Sequence, residues 1–174
     1  GKIIKISISS RDHKIISLGH RNPQGLLYNE KFDYIISTEH GPFGGDEINL
    51  NLNPLSDVKN FGWAISSYGE HYGGKDSSEN KDKYIKYPLH KSHSKYGFIE
   101  PIKYYVPSIG ISEIIQLSDE KFIVSSLKDS SIYPFTLKND KIGNMKRIFI
   151  GERIRDIVYD KKSSKIFLFL EDTA

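Results

Sequence analysis

At 174 residues the chain is long enough for one domain or for part of a larger one, and its eleven Tyr and nine Phe suit amphipathic β-strands. The net charge of +3 is spread along the chain without a block of like sign, which argues against a nucleic-acid partner. The absence of cysteine excludes disulfides and thiolate metal sites and fits a periplasmic or secreted protein, and no apolar run approaches membrane-spanning length.

Lys2 to Ile8 alternates Ile3, Ile4, Ile6 and Ile8 with polar residues and predicts one strand. Since the chain opens on this run, a targeting segment of an exported protein would lie outside it. Residues 14–18 lead into Gly19-His20-Arg21-Asn22-Pro23-Gln24-Gly25. Leu26-Leu27-Tyr28, a turn over 29–33 and Tyr34-Ile35-Ile36-Ser37-Thr38 then predict a hairpin. Glu39-His40-Gly41-Pro42-Phe43-Gly44-Gly45-Asp46-Glu47-Ile48-Asn49 follows it. Glu47 to Leu52 carries the clearest alternation, with Ile48, Leu50 and Leu52 on one face and Glu47, Asn49 and Asn51 on the other.

Residues 53–105 lack periodicity and are rich in Gly, Ser, Asn, Lys, His and Tyr, so they read as a long loop insertion within the single domain 1–174. Gly62, Trp63, Tyr68 and Tyr72 anchor its first part, and residues 74–97 are expected to be mobile. Gly110 to Gln116, Lys121 to Ser126, Ser131 to Leu137 and Met145 to Ile150 are four strand-like runs, about the content of one propeller blade. Arg155 to Tyr159 and Ile166 to Leu170 start another. No segment shows helical periodicity, so little helix is expected.

In an antiparallel pair the start of one strand lies beside the end of the next. Arg21 and Asn22 precede the first hairpin strand, and His40, Gly41 and Pro42 follow the second, so both groups belong to one rim. An Arg fork, an Asn amide, a His and glycine-exposed carbonyls there suit an anionic ligand or a metal. Arg153 and Arg155 project to one side of a strand, where they repel unless an anion meets them; Glu152 and Asp156 are the structural alternative. Lys128, just after a strand, is a further cation. His90 and His93 have weak zinc spacing, without Cys or paired carboxylates nearby.

The two rim motifs, together with Asn60-Phe61-Gly62-Trp63, Ser67-Tyr68-Gly69-Glu70-His71-Tyr72, Val106-Pro107-Ser108-Ile109, Ser125-Ser126-Leu127-Lys128 and Arg153-Ile154-Arg155-Asp156, resemble the soluble quinoprotein sugar dehydrogenases of the glucose/sorbosone dehydrogenase family. The motifs keep that family's order over nearly the whole chain. The resemblance implies an all-β fold, a six-bladed β-propeller of which this chain covers about two and a half blades. Lys2 to Ile8 is then the last strand of an earlier blade. It implies pyrroloquinoline quinone (PQQ) and calcium as cofactors, and oxidation of a sugar substrate at its C1 hydroxyl by hydride transfer to the quinone.

By the same resemblance, Arg21 and Asn22 contact the cofactor near its reactive carbonyls, Arg153 and Arg155 lie beneath its carboxylates, and Lys128 is a third cation for it. The Gly41 and Pro42 carbonyls hold the calcium. His40 contacts the cofactor, stacks on it or hydrogen-bonds the tight turn. Two departures stand out. The family's base is a His from an earlier blade, and here only His13 stands upstream, outside any family motif, so no catalytic residue is assigned. Val106 stands where an aromatic often precedes Pro-Ser near the sugar. The chain reads as a cut piece of the family fold, or as one of several copies covering each other's open faces. The alternatives are a non-catalytic propeller that binds or interacts, and an unrelated carbohydrate-binding propeller.

Overall fold

A computed structural model describes residues 1–171. β1 (Lys2–Ile6) and β2 (His13–Leu18) form an antiparallel hairpin. β3 (Pro23–Asn29), β4 (Tyr34–Glu39) and β5 (Asp46–Leu52) make a meander, and β6 (Lys59–Asn60) runs parallel to β2 along its outer edge. A short helix, α1 (Lys81–Lys86), precedes β7 (Lys103–Tyr105), which pairs with β5. β8 (Ile111–Ser118), β9 (Lys121–Ser126) and β10 (Ser131–Lys138) form a second meander. Its outer strand is split into β11 (Lys141–Gly143) and β12 (Ile148–Phe149), both on β10. β13 (Arg153–Asp160) and β14 (Lys165–Glu171) form a last hairpin.

The sheets are blades of a propeller. Two are complete, in the orders β3-β4-β5-β7 and β8-β9-β10 with its split outer strand. A partial sheet flanks each side, β1-β2-β6 before and β13-β14 after. The first strands of successive blades, β3, β8 and β13, lie next to one another. Among the described residues no hydrogen-bonded ladder joins the blades, so side chains hold them. Tyr34, Ile36, Ile48 and Leu50 of the first full blade meet Ile111, Ile114, Phe122, Val124 and Phe135 of the second. On the other face of the second blade, Ile123 and Ile132 meet Ile154 and Ile157. The alternation along β9 thus sends Phe122 and Val124 one way and Ile123 the other, and both faces are buried. Each such burial contributes roughly 1.5–3 kcal/mol, which makes these contacts the main cohesion between blades.

Polar ties set the blades' heights. Gly25 of β3 donates to Thr38 Oγ1 at 2.8 Å, Thr38 Oγ1 donates to the Ser112 carbonyl of β8, and Ser112 Oγ donates to the Ile154 carbonyl of β13 at 2.6 Å. A Cβ on Gly25 would stand 2.7 Å from Ile114 N, so only glycine allows β3 so close to β8.

Several expectations need correction. Lys2–Ile6 is not the last strand of its sheet, because β2 follows it in the same hairpin and its turn takes residues 7–12. The expected loop at 53–105 supplies β6, α1 and two 3₁₀ turns, and it also supplies β7, the fourth strand of the first full blade. Three-residue strands are too short to show periodicity, which hid β7. Both faces of β5 are buried, Glu47, Asn49 and Asn51 included, because the insertion packs over the polar face.

Thr38→Val should lower stability by about 1–3 kcal/mol, since it leaves the buried Gly25 N–H and Ser112 carbonyl without a partner. Thr38→Ser should recover most of the loss. Urea midpoints measure both, and a neutral Thr38→Val would remove this tie from the fold.

Candidate functional site

The starts of β3, β8 and β13 share one rim, because Ser112 and Ile154 are second residues of their strands and are hydrogen-bonded to each other. The ends of β4 and β9 return to that rim, beside Pro23 and Ile111 respectively. At the mouth of the first hairpin, His40 N donates to Asn22 O at 3.0 Å. Arg21 Nη1 donates to His40 O at 3.0 Å, and Nη2 donates to Tyr72 Oη at 3.1 Å. The guanidinium carbon lies 5.4 Å from the Trp63 ring centre and 5.8 Å from that of Tyr72. Arg21 is therefore held by the insertion as well as by the rim. Asn22 is exposed.

The Gly41–Gly45 loop folds back on itself. A Cβ on Gly41 would stand 2.2 Å from Gly44 O, and one on Gly45, whose φ is +70°, would stand 2.1 Å from Gly69 N. Asp46, fully buried, fastens this loop to the next blade. Its Oδ1 accepts from Gly41 N at 3.3 Å, and its Oδ2 accepts from Ser108 Oγ at 2.6 Å and Ile111 N at 3.0 Å.

Under the rim lies a buried polar chain that the sequence reading missed. Glu39 Oε2 accepts from Arg21 N at 2.7 Å, and Oε1 accepts from Asn49 Nδ2 at 2.6 Å and lies 3.2 Å from His20 Nδ1. Asn49 Nδ2 also reaches Glu47 Oε2 at 3.3 Å, and Glu47 Oε1 lies 3.4 Å from His93 Nε2. His93 is buried, its Nδ1 on Phe61 O at 2.8 Å and its ring stacked on Tyr68 at 5.4 Å. Burial, reinforced by the neighbouring Glu39, pushes the Glu47 carboxyl up to about 8 against the Asn49 hydrogen bond. Burial likewise moves His93 down, against the pull of Glu100. His40 Nε2 and Ser66 Oγ are buried with no partner, and His93 Nε2 has only the 3.4 Å approach to Glu47, without hydrogen-bond geometry; all three residues line a cavity of about 10 Å³, room for roughly one water. The only signal of this chain in the sequence was Glu47 and Asn49 on one strand face; its other members come from elements far apart.

Lys128 follows β9 at the same rim, is exposed, and has no ion pair among the described residues. Arg153 and Arg155 are met by an anion of the chain itself: Glu171 Oε2 is 3.4 Å from Arg153 Nη2 and 2.7 Å from Arg155 Nη2. The Arg155 hydrogen bond holds the Glu171 carboxyl below its ordinary value. Glu171, not Glu152 or Asp156, is thus the balancing charge. Arg153 Nε remains buried without a partner. Among the described residues no hydrogen bond links Arg21, Lys128 and the Arg153–Arg155 pair, which share the rim without touching. His90 stacks on Tyr96 at 3.7 Å, while His93 belongs to the polar chain, and no three His, Asp or Glu side chains form a metal cage among the described residues.

Residues 6–174 match the family model described as glucose/sorbosone dehydrogenase. The aldose sugar dehydrogenase YliI of Escherichia coli strain K12 is 31% identical over 153 residues, covering 83% of this chain and 38% of that protein. The Synechocystis protein slr1608 is 29% identical over 83% of this chain and 33% of its own length. The crystal structure of the soluble aldose sugar dehydrogenase from Escherichia coli in its apo form superposes with a TM-score of 0.72 at 29% identity, over 91% of this chain and 44% of that one. A PQQ-bound aldose sugar dehydrogenase from Streptomyces coelicolor shares the fold with a TM-score of 0.56 at 21% identity, over 82% of this chain and 35% of its own. The chain thus spans less than half the length of these relatives.

The raised Glu47 carboxyl gives a pH signature. A carboxyl that holds its proton more tightly folded than unfolded stabilises the chain most below its ordinary value of 4.5, and that stability is lost as pH rises to about 8. The wild-type melting temperature should therefore fall more between pH 5 and pH 9 than that of Glu47→Gln. Equal falls would show that Glu47 does not titrate in a buried setting.

Proposed function

The chain belongs to the glucose/sorbosone dehydrogenase family, and from that premise we propose that it is part of a PQQ- and calcium-dependent aldose or glucose dehydrogenase that oxidises a sugar's C1 hydroxyl by hydride transfer to the quinone. The observation that carries this reading is the rim mouth, where Arg21, the His40 carbonyl and the Gly41–Pro42 backbone are held together by Glu39, Tyr72 and Asp46. Family membership sets aside a propeller of unrelated descent.

The residues fit a planar polyanion. Two N–H groups of Arg21 are committed to His40 and Tyr72, and the others remain for a carboxylate or quinone oxygen. Asn22, exposed beside it, offers an amide, and His40 has a buried Nε2 without a partner. Lys128, Arg153 and Arg155 add three cations on the same rim. Calcium takes about six to eight oxygens, and the Gly41 and Pro42 carbonyls would provide two of them. Asp46 is already engaged by three hydrogen bonds that hold the loop and the next blade. When bound, the quinone supplies the hydride acceptor and the ion polarises it.

Neither histidine upstream of Arg21 is placed to act as base for the sugar hydroxyl. His13 begins β2, which runs towards the rim, so it sits at the far end. His20 is 1% exposed and engaged by Ser17 and Glu39 on its two nitrogens. That observation favours a second reading, in which the 174-residue chain binds the cofactor without turnover. A sugar substrate, a periplasmic or secreted location and a second copy covering the open blade faces belong to the main reading. Among the described residues no helix is long and apolar enough to cross a membrane.

Titration of the chain with PQQ should show weak binding that calcium strengthens. The Arg153→Ala, Arg155→Ala double variant should bind roughly tenfold more weakly or worse, since a hydrogen bond to a charged group is worth about 1.5–3 kcal/mol. Equal binding would remove the pair from the site, and sugar oxidation by this chain alone would refute the absence of a base.

A further inference from the structure

Residues 74–96, in the middle of the insertion, carry six Lys against three Asp and Glu, a surplus of three that equals the net charge of +3 for the whole chain. No run of like sign marks it in the sequence, because acids are interleaved with the lysines. The fold concentrates the surplus further. Lys75 and Lys91 are paired with Glu70, at 3.6 and 3.0 Å. Lys81, Lys83 and Lys86, all on α1, are exposed and form no ion pair among the described residues.

α1 adds nothing to the core, since none of its residues is buried. Lys81 and Ile85, four positions apart, share one face of it, and Ile85 is 83% exposed. Tyr87, just past its end, is 54% exposed, with Lys86 Nζ 5.3 Å from its ring centre. A helix of six residues does not persist by itself. This one is fastened by polar contacts from below: Asn80, 1% exposed, donates to the Tyr72 and Gly74 carbonyls, both at 2.8 Å. Tyr84 Oη accepts from His71 N at 3.1 Å and donates to Glu70 Oε2 at 2.7 Å. An apolar spot set among unpaired cations is thus held outward on a fixed base.

That base is joined to the rim at two points. Glu70 and Phe43, in the Gly41–Gly45 loop, exchange two backbone hydrogen bonds of 2.9 Å, and Tyr72 Oη accepts from Arg21 Nη2 at 3.1 Å. Electron-transfer contacts between proteins are small and rely on opposite charge for fast encounter. In the reading given above, each sugar oxidised leaves two electrons and two protons on the quinone. Two one-electron carriers restore it by taking one electron each, and the two protons pass to water. We propose that α1 with Tyr87 is the docking surface for an acidic one-electron carrier protein, which meets the chain beside the cofactor rim; the carrier's role, though not the surface, rests on the cofactor reading. Lys81, Lys83 and Lys86 steer it, and Ile85 and Tyr87 form the apolar centre of the contact.

The probe is a small acidic b-type cytochrome titrated into the 174-residue chain, with a basic c-type cytochrome as control, followed by amide chemical shifts. The acidic protein should bind, more weakly as salt rises, with shifts centred on residues 72–87, and the basic one should not. Lys81→Glu with Lys83→Glu and Lys86→Glu should weaken binding roughly tenfold or more, because three attractions become repulsions. Ile85→Ser should weaken it about threefold through lost apolar contact. Both variants should keep the far-ultraviolet dichroism of the wild type, since these side chains are exposed, and should bind PQQ as the wild type does. Failure of PQQ to bind any of them, with cytochrome docking intact, would count against the cofactor reading and leave the surface standing. No binding of the acidic cytochrome, equal binding by the charge-reversed variant, or shifts elsewhere on the chain would overturn the proposal. Binding to phosphatidylglycerol vesicles as tight as to the cytochrome would overturn it too, since the face would then be a generic cationic one.

Discussion

The buried Asp46 carboxylate is the point on which the site depends. A carboxylate removed from water is costly unless hydrogen bonds replace its hydration, and Asp46 accepts three. One comes from Gly41, in the loop that bears the candidate metal carbonyls. The other two come from Ser108 and Ile111, at the start of the next blade's inner strand. One side chain therefore shapes the rim loop and indexes it against the neighbouring blade. The Gly41, Gly45 and Gly69 contacts show the consequence: a loop pulled this tightly inward leaves no room for a Cβ. The Thr38–Ser112–Ile154 ties repeat the device one level deeper and carry the same height on to β13.

The insertion at 53–105 changes what the first full blade can bury. β5 has the alternation of a strand with one wet face, yet Glu47, Asn49 and Asn51 are all buried. Glu47 and Asn49 tolerate this because the insertion brings His93 beside Glu47, while Glu39 and His20 complete the chain from the strand side; both amide atoms of Asn51 stay buried without a partner. The insertion is pinned from above by polar contacts: Glu100 accepts from Tyr68 and Ser94, and Glu70 from Tyr84. It also delivers Trp63 and Tyr72 to Arg21. The segment with the least periodicity thus orders the most prominent cation of the rim.

How much was legible in the sequence follows from what period-2 alternation can carry. The hairpin β3–β4, the strand β5 and the meander β8–β10 are long enough to show it, and each lies within a few residues of its expected span. β6, β7 and β12 are two or three residues long, so nothing in their composition marked them. The common rim of Arg21, Asn22, His40, Gly41 and Pro42 was legible because it needs only hairpin geometry. The Glu39–Asn49–Glu47–His93 chain was not, since it joins strands to an insertion whose path no local pattern sets. Glu171 as counter-ion escaped for another reason: Arg153 and Arg155 have acidic neighbours on their own strand, but the pairing of β13 with β14 brings a more distant one opposite.

That counter-ion bears on how the rim meets an anionic ligand. Arg153, Arg155 and Glu171 are each more than a third exposed, and an ion pair of this kind is worth about 0–1 kcal/mol. Glu171 therefore keeps the two guanidiniums from repelling each other at little cost to displacement by a ligand with several carboxylates. Arg153 Nε is already buried without a partner, so a ligand oxygen reaching it would remove an existing penalty in addition to forming a charged hydrogen bond. These groups stand on β13 and β14, and Ile154 and Ile157 of β13 anchor that hairpin on the second full blade.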